Sequence, residues 1–224
     1  MIKKFFITGT DTNVGKTIAS SILLKKAAAS GYKAAGYKPI SSGHQKKTCN
    51  FSNNDATILK QSSSIILTEK EVNPISFFEN APPHILSKLQ KKNIKKIELS
   101  LGLKNITNKS NWILIEGAGG WYTPLSDKET FSDWVKKEKL TVIIIVAIKL
   151  GCINHAILTE KAIISEKITC GGWIANNIFP KDKYNIYYIQ TLLSYIKSPF
   201  LGEIPYFHNR NKINFKKIKI KLPK

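Results

Sequence analysis

Apolar residues along this chain fall into two patterns, short unbroken runs and longer stretches in which they recur every three or four positions. The short runs are rich in Ile, Val, Phe and Trp. They predict strands over Lys3–Thr8, Ala34–Lys38, Trp112–Glu116, Val142–Ala147, Gly172–Asn176 and Phe200–Ile204. Between the first two lies KTIASSILLKKAAASG, apolar at helical spacing, with Gly31 as its stop. Further helices are expected near Asp55–Gln61, Pro83–Lys91, Ile94–Asn108, Asn154–Ser165 and Tyr184–Ile196. Strands that are apolar on both faces and separated by helices make a mostly parallel sheet with helices on both faces. No repeat or Gly/Ser/Pro linker divides the chain, so residues 1–224 read as one α/β domain. The tail, about 207–224, ends in alternating Lys and Ile, the pattern of an edge strand or of a loose end.

Composition changes this picture little. The 224 residues are 42% hydrophobic, enough for one substantial core. The net charge of +20 raises nucleic acid and membrane surfaces as partners. Of the 35 basic residues only Arg210 is arginine, however, and the lysines are scattered along the whole chain. Readers of base edges favour the bidentate arginine fork, so neither nucleic acid nor membrane is expected as the main partner, whereas small anionic substrates are. Cys49, Cys152 and Cys170 are odd in number and lack metal-ligand spacing, which suits reduced thiols in the cytoplasm. The apolar run in MIKKFFITGT is too short for a signal sequence, and LTVIIIVAI is half of what a membrane span needs.

Candidate chemistry begins at GTDTNVGKT, Gly9 to Thr17, where a predicted strand gives way to a predicted helix. That is the context of a phosphate-binding loop, in which backbone N–H groups and a helix N-terminus surround a polyphosphate. Lys16 would reach the β- and γ-phosphates and the Thr17 hydroxyl would ligate magnesium. The standard spacing asks for glycine where Thr10 stands; Gly9 lies one residue early. NWILIEGAGG places Glu116 at a strand end before a Gly-rich turn, facing the same crevice. Asp55 opens a helix and reads equally as N-cap or ligand. In GYKPISSGH, Lys38 ends a strand beside the donor-rich Ser41 and Ser42. His44, His84, His155 and His208 are dispersed, without zinc spacing, and neither serine has the context of a hydrolase nucleophile.

Taken in order, GTDTNVGKT, GYKPISSG, NPISFFENAPPH, EGAGGWYTPLSD, KLGCINHAILT, GWIANN and LGEIPY resemble the dethiobiotin synthetase family, a P-loop NTPase-like group, from Ile2 to Tyr206. The displaced Gly9 matches that family's own version of the loop. The resemblance implies an ATP- and magnesium-dependent cyclo-ligase of biotin biosynthesis, a homodimer with substrate at the subunit interface. It joins 7,8-diaminononanoate to CO2 (or bicarbonate) through a carbamate and a carbamic–phosphoric anhydride.

Position by position, the resemblance makes Lys16 and Lys38 the lysines for carbamate and phosphate, with Thr12 beside them among the catalytic residues. It makes Thr17, Asp55 and Glu116 the magnesium shell. Asn13, Val14, Gly15 and Ile18, together with Gly117, Ala118 and Gly119, become nucleotide contacts, and Gly119 a substrate contact as well. Thr12 and Ser42 become substrate-side hydroxyls. Gly151, Cys152, Ile153 and Asn154 become the segment that receives the substrate carboxylate from the neighbouring subunit, and Tyr188 a substrate contact. Asn176, Asn177, Pro205, Tyr206 and Phe207 become the base pocket.

Asn13 stands where the family often has Glu, and the chain departs from the family after Tyr206. Discrimination of adenine from guanine is therefore expected to be weak. The competing reading is a P-loop ATPase switch of the partitioning type, which leaves GYKPISSG and EGAGGWYTP without a purpose.

Overall fold

The computed structural model describes residues 2–43, 55–209 and 213–224. His44, Cys49 and Arg210 lie outside the described residues. Six parallel strands form the main sheet: β1 (Lys3–Gly9), β2 (Ala34–Tyr37), β5 (Trp112–Gly120), β6 (Thr141–Ala147), β7 (Cys170–Asn176) and β8 (Phe200–Ile204), in the order β2-β5-β1-β6-β7-β8. Two short strands, β3 (Ile40–Ser41) and β4 (Ile75–Ser76), pair separately. The helices are α1 (Lys16–Ala29), α2 (Asp55–Ser62), α3 (Glu69–Val72), α4 (Pro83–Leu89), α5 (Lys96–Thr107), α6 (Phe131–Lys137), α7 (Cys152–Ser165) and α8 (Asn185–Tyr195). No helix among the described residues is long and apolar enough to cross a membrane.

The expected elements are present, and their hydrophobic runs explain their places. Ile113–Ile115 and Val142–Val146 are buried at every position, as central parallel strands must be when helices cover both faces. Trp121, Trp134, Phe6 and Phe131 gather in one part of the core, with Phe6 and Phe131 ring centroids 5.7 Å apart, while Trp112 packs against Phe5. Gly31, just past α1, has φ +84°, the left-handed conformation of a helix stop.

Two helices escaped the sequence reading. Both α3 and α6 open on a capping box, Thr68 with Glu71 and Thr130 with Asp133, but are too short for a helical period to register. The Gly-rich turn expected after Glu116 is a correction. β5 continues through Gly120, which pairs with Gly9 of β1, and a β-carbon at 117 would stand 2.6 Å from Phe6 Cζ and 3.2 Å from the Ile7 carbonyl. Glycines there make close strand approach, not a turn.

In the tail, Ile220 forms an antiparallel bridge with Gly202 on β8, and the Lys221 N–H donates to the Leu201 carbonyl at 2.8 Å. Ile218 and Ile220 are buried.

Candidate active site

The carboxyl ends of β1, β2 and β5 open into one cleft, the place where parallel sheets carry their ligands. The phosphate loop runs from Thr10 to Gly15, between β1 and α1. Asn13 and Gly15 have φ +59° and +86°, left-handed positions of the kind from which anion nests are built, while the Thr12 N–H donates to Asp11 Oδ1. Gly15 also packs against Asn176, whose amide Nδ2 would lie 2.0 Å from an added β-carbon. Gly9 has no room for a side chain either. A β-carbon there would sit 2.6 Å from Val14 Cγ2, 2.7 Å from the Asp11 carbonyl and 3.0 Å from Lys16 Nζ.

Lys16 is buried and spans the cleft, its ammonium donating to the carbonyls of Gly119 at 2.6 Å and Asp11 at 3.1 Å. Burial, and then repulsion from Lys38, lower its pKa to about 8 against the pull of Glu116, Asp55 and Asp11. Lys38 is buried too. It donates to Glu116 Oε1 at 2.7 Å and to the Gly117 carbonyl at 3.1 Å, and lies 3.2 Å from Asp55 Oδ2. Burial works to lower its pKa, but Glu116 and Asp55 prevail and hold it above the ordinary lysine value. The turn after Lys38 is braced by Asn73, which donates to the Lys38 carbonyl at 2.6 Å and accepts from Ser41 Oγ at 2.7 Å. This positions Ser42 on the wall of the cleft that Thr12 also lines.

Thr17 Oγ1 lies 2.7 Å from Asp55 Oδ1 and 3.0 Å from Glu116 Oε1. A hydroxyl carries one hydrogen, so it can donate to only one of these carboxylates. Glu116 is fully buried, and its Oε2 has no hydrogen-bond partner among the described residues. Burial favours a raised Asp55 pKa, but the charge of Lys38 and the bond from Thr17 hold it below the usual carboxylate value. A hydroxyl, two carboxylates and one orphaned carboxylate oxygen are hard donors that fit magnesium, which takes one or two carboxylates and completes its shell with water and phosphate. Asp55, ambiguous in the sequence, thus faces the cleft cluster.

A small second pocket adjoins the loop and is lined by Asn176, Asn177, Pro205, Tyr206 and Phe207 together with Gly15 and Ile18. The expected base-pocket residues are therefore brought together. Asn176 Nδ2 donates to the Val14 carbonyl at 2.7 Å, while Asn177 is tied to Glu203, Ile204 and Asn185. Ala118 and Gly119 line the main cleft.

Gly151, Cys152, Ile153, Asn154 and Tyr188 stand outside both cavities. Gly151, φ +89°, precedes α7 and offers no side-chain cap to its first N–H groups. Lys149, in the same loop, reaches Asp11 Oδ2 at 3.4 Å. Sequence reasoning missed several cleft residues, among them Asn80, Lys25 and Phe215. Asn80 lies within the NPISFFENAPPH segment without standing out there, and Lys25 and Phe215 meet only in space, 190 residues apart in the chain.

Residues 3–213 match a family model described as an AAA domain. The chain is 81% identical over all 224 residues to an ATP-dependent dethiobiotin synthetase of Buchnera aphidicola subsp. Acyrthosiphon pisum (strain 5A), covering 100% of both. It is 48% identical over 206 residues to an ATP-dependent dethiobiotin synthetase of Escherichia coli (strain K12), covering 92% of each chain. Among solved structures, the MinC:MinD cell division protein complex of Aquifex aeolicus superposes with a TM-score of 0.54 at 14% identity, covering 95% of this chain and 84% of that one. That likeness extends to the fold alone. With full-length identity of 81% behind it, the conclusion is that this chain belongs to the ATP-dependent dethiobiotin synthetases, ligases of biotin biosynthesis.

Proposed function

We propose that the cleft closes the cyclic urea of dethiobiotin from 7,8-diaminononanoate, CO2 and ATP, in the cytoplasm, through a carbamate and a carbamic–phosphoric anhydride. The observation that carries this reading is the pair of buried lysines, Lys16 and Lys38, facing one cleft between the phosphate loop and the Ser41–Ser42 turn. A carbamate and a triphosphate are both anions, and two fixed cations at one cleft offset their repulsion. In the first step a diamine nitrogen adds to CO2 and loses a proton. The carbamate oxygen then attacks the γ-phosphorus as ADP leaves. The second amine attacks the carbonyl carbon, loses its proton and expels phosphate.

Lys38, held by Glu116 and the Gly117 carbonyl, and Lys16, held by the Gly119 and Asp11 carbonyls, would between them meet the carbamate and the phosphates. Thr12 and Ser42 would orient the substrate. Thr17, Asp55 and Glu116 would hold magnesium, which when bound neutralises charge on the transferring phosphoryl group. Gly117, Ala118 and Gly119, with the loop residues Asn13 to Gly15 and Ile18, would line the nucleotide.

We infer a homodimer, because the remaining substrate residues lie outside this chain's own cleft and beside exposed apolar side chains. Leu150 is 86% exposed and Tyr187 63% exposed, next to Gly151–Asn154 and Tyr188. A second subunit would cover that face and bring the uncapped α7 N-terminus to the substrate carboxylate.

Phosphate release from ATP with magnesium and bicarbonate tests the reading. Release that requires the diamine and yields a cyclic urea of matching mass is expected. Release indifferent to the diamine would favour the nucleotide-switch reading instead.

Base preference is a second expectation, and the geometry argues against the weak discrimination anticipated from the tail. Asn176 has its NH2 fixed on the Val14 carbonyl, which leaves its oxygen as the amide's acceptor at the base cavity. An acceptor suits the adenine amino group and repels the guanine carbonyl oxygen. Competition binding should give ATP at least about a tenfold advantage over GTP, and equal affinities would reject this role of Asn176.

A further inference from the structure

The cleft continues past the residues assigned above. Beyond Lys16 and Thr17, the face of α1 that lines it runs through Ile18 and Ser21 to Lys25, at the three- and four-residue spacing of one helix face. Ile213 and Phe215 from the tail line the same space. The Lys25 ammonium lies 3.7 Å from the centroid of the Phe215 ring, within cation–π range. Partial burial lowers the Lys25 pKa from the ordinary lysine value. The segment that carries Phe215 is itself anchored, through buried Ile218 and Ile220 and the Lys221 bond to β8. Lys25 is exposed, yet its ammonium sits over the Phe215 ring at the edge of the cleft. The carbamate, phosphate and metal chemistry makes no use of it.

The base cavity and the main cleft share Gly15 and Ile18. A nucleotide with its base in the first and its phosphates at Lys16 and Thr17 must pass its sugar across the Ile18 rim. Lys25 lies about 10 Å further along α1 than Ile18 on the same helix face, and both line the main cleft.

We propose that Lys25, seated over the Phe215 ring, recognises the sugar of the bound nucleotide, donating charge-assisted hydrogen bonds to the ribose hydroxyls of a nucleoside triphosphate. This rests on the nucleotide-binding part of the proposed function and is independent of the diamine reaction.

Competition against a fluorescent ATP analogue, without diamine, compares ATP with 2′,3′-dideoxy-ATP. The native chain is expected to bind ATP about tenfold more tightly than the dideoxy form, the effect of a charged hydrogen bond. Lys25→Met is expected to bind both nucleotides equally, at the affinity the native chain has for the dideoxy form. Lys25→Arg, which keeps a cation over the ring, is expected to retain the preference, and Phe215→Leu to lose part of it. No preference in the native chain, or a full preference in Lys25→Met, would overturn the proposal. Equal losses for both nucleotides in Lys25→Met and Lys25→Arg alike would mark Lys25 as a structural residue and overturn it too. Discrimination between the two nucleotides without diamine-dependent turnover would sink the ligase reading and leave this one standing.

Discussion

Glu116→Gln is expected to lower stability by about 3 kcal/mol and diamine-dependent turnover by more than tenfold. Glu116 is fully buried and accepts from Lys38 at 2.7 Å, and Lys38 is only 3% exposed. Removing one member of a buried ion pair leaves the other desolvated and poorly compensated, at a cost of about 3–5 kcal/mol. The lower end applies because Asp55 still lies 3.2 Å from the Lys38 ammonium. Lys38→Gln is expected to lower turnover by a similar factor, since it removes one of the two cations proposed to meet the carbamate and the phosphate. The double variant Glu116→Gln/Lys38→Met removes both charges of this pair, so part of the stability should return while activity stays lost. Denaturant unfolding with phosphate-release assays on the same samples measures both effects. A Glu116→Gln chain as stable as the native one would mean that the pair is not the structural keystone of the cleft floor.

Much of this site can be read from the sequence because its parts are local. GTDTNVGKT contains its strand end, loop and helix start in one run, and the apolar runs around it announce a parallel sheet without reference to tertiary contacts. What stayed hidden was non-local or atypical. Nothing in sequence marks Lys16 as the partner of Gly119, 103 residues away. Asp55 looked as much like an N-cap as a ligand, because the first residue of a helix suits both, and only its approach to Thr17 and Lys38 separates the two. The glycines after Glu116 carry turn composition, yet here they allow β5 to lie close beside β1. Helices α3 and α6 did leave a local trace, Thr-x-x-Glu and Thr-x-x-Asp, which a search for apolar periodicity passes over.

Gly9→Ala is expected to act on the enzyme much as Lys16→Gln does, each lowering turnover by more than tenfold, over ~1.4 kcal/mol at the barrier. Gly9 ends β1 in a strand conformation with no positive φ, so the sensitivity comes from space and not from backbone freedom. The added carbon would meet the Asp11 carbonyl at 2.7 Å and Val14 Cγ2 at 2.6 Å. The first contact is with backbone and the second with a side chain buried at 1% exposure, so the loop itself must shift. It would also crowd Lys16 Nζ at 3.0 Å and push the ammonium from the position between Gly119 and Asp11. A glycine at position 10 in its place would leave this crowding untouched, which is why the glycine is needed one residue earlier than in the standard loop. The measurement is ATP affinity alongside turnover. Gly9→Ala distorts the whole loop and should weaken ATP binding together with turnover, whereas Lys16→Gln keeps the loop and should fall more in turnover than in binding. A Gly9→Ala enzyme with native ATP affinity would show that the loop absorbs the methyl group, and the displaced glycine would then need another cause.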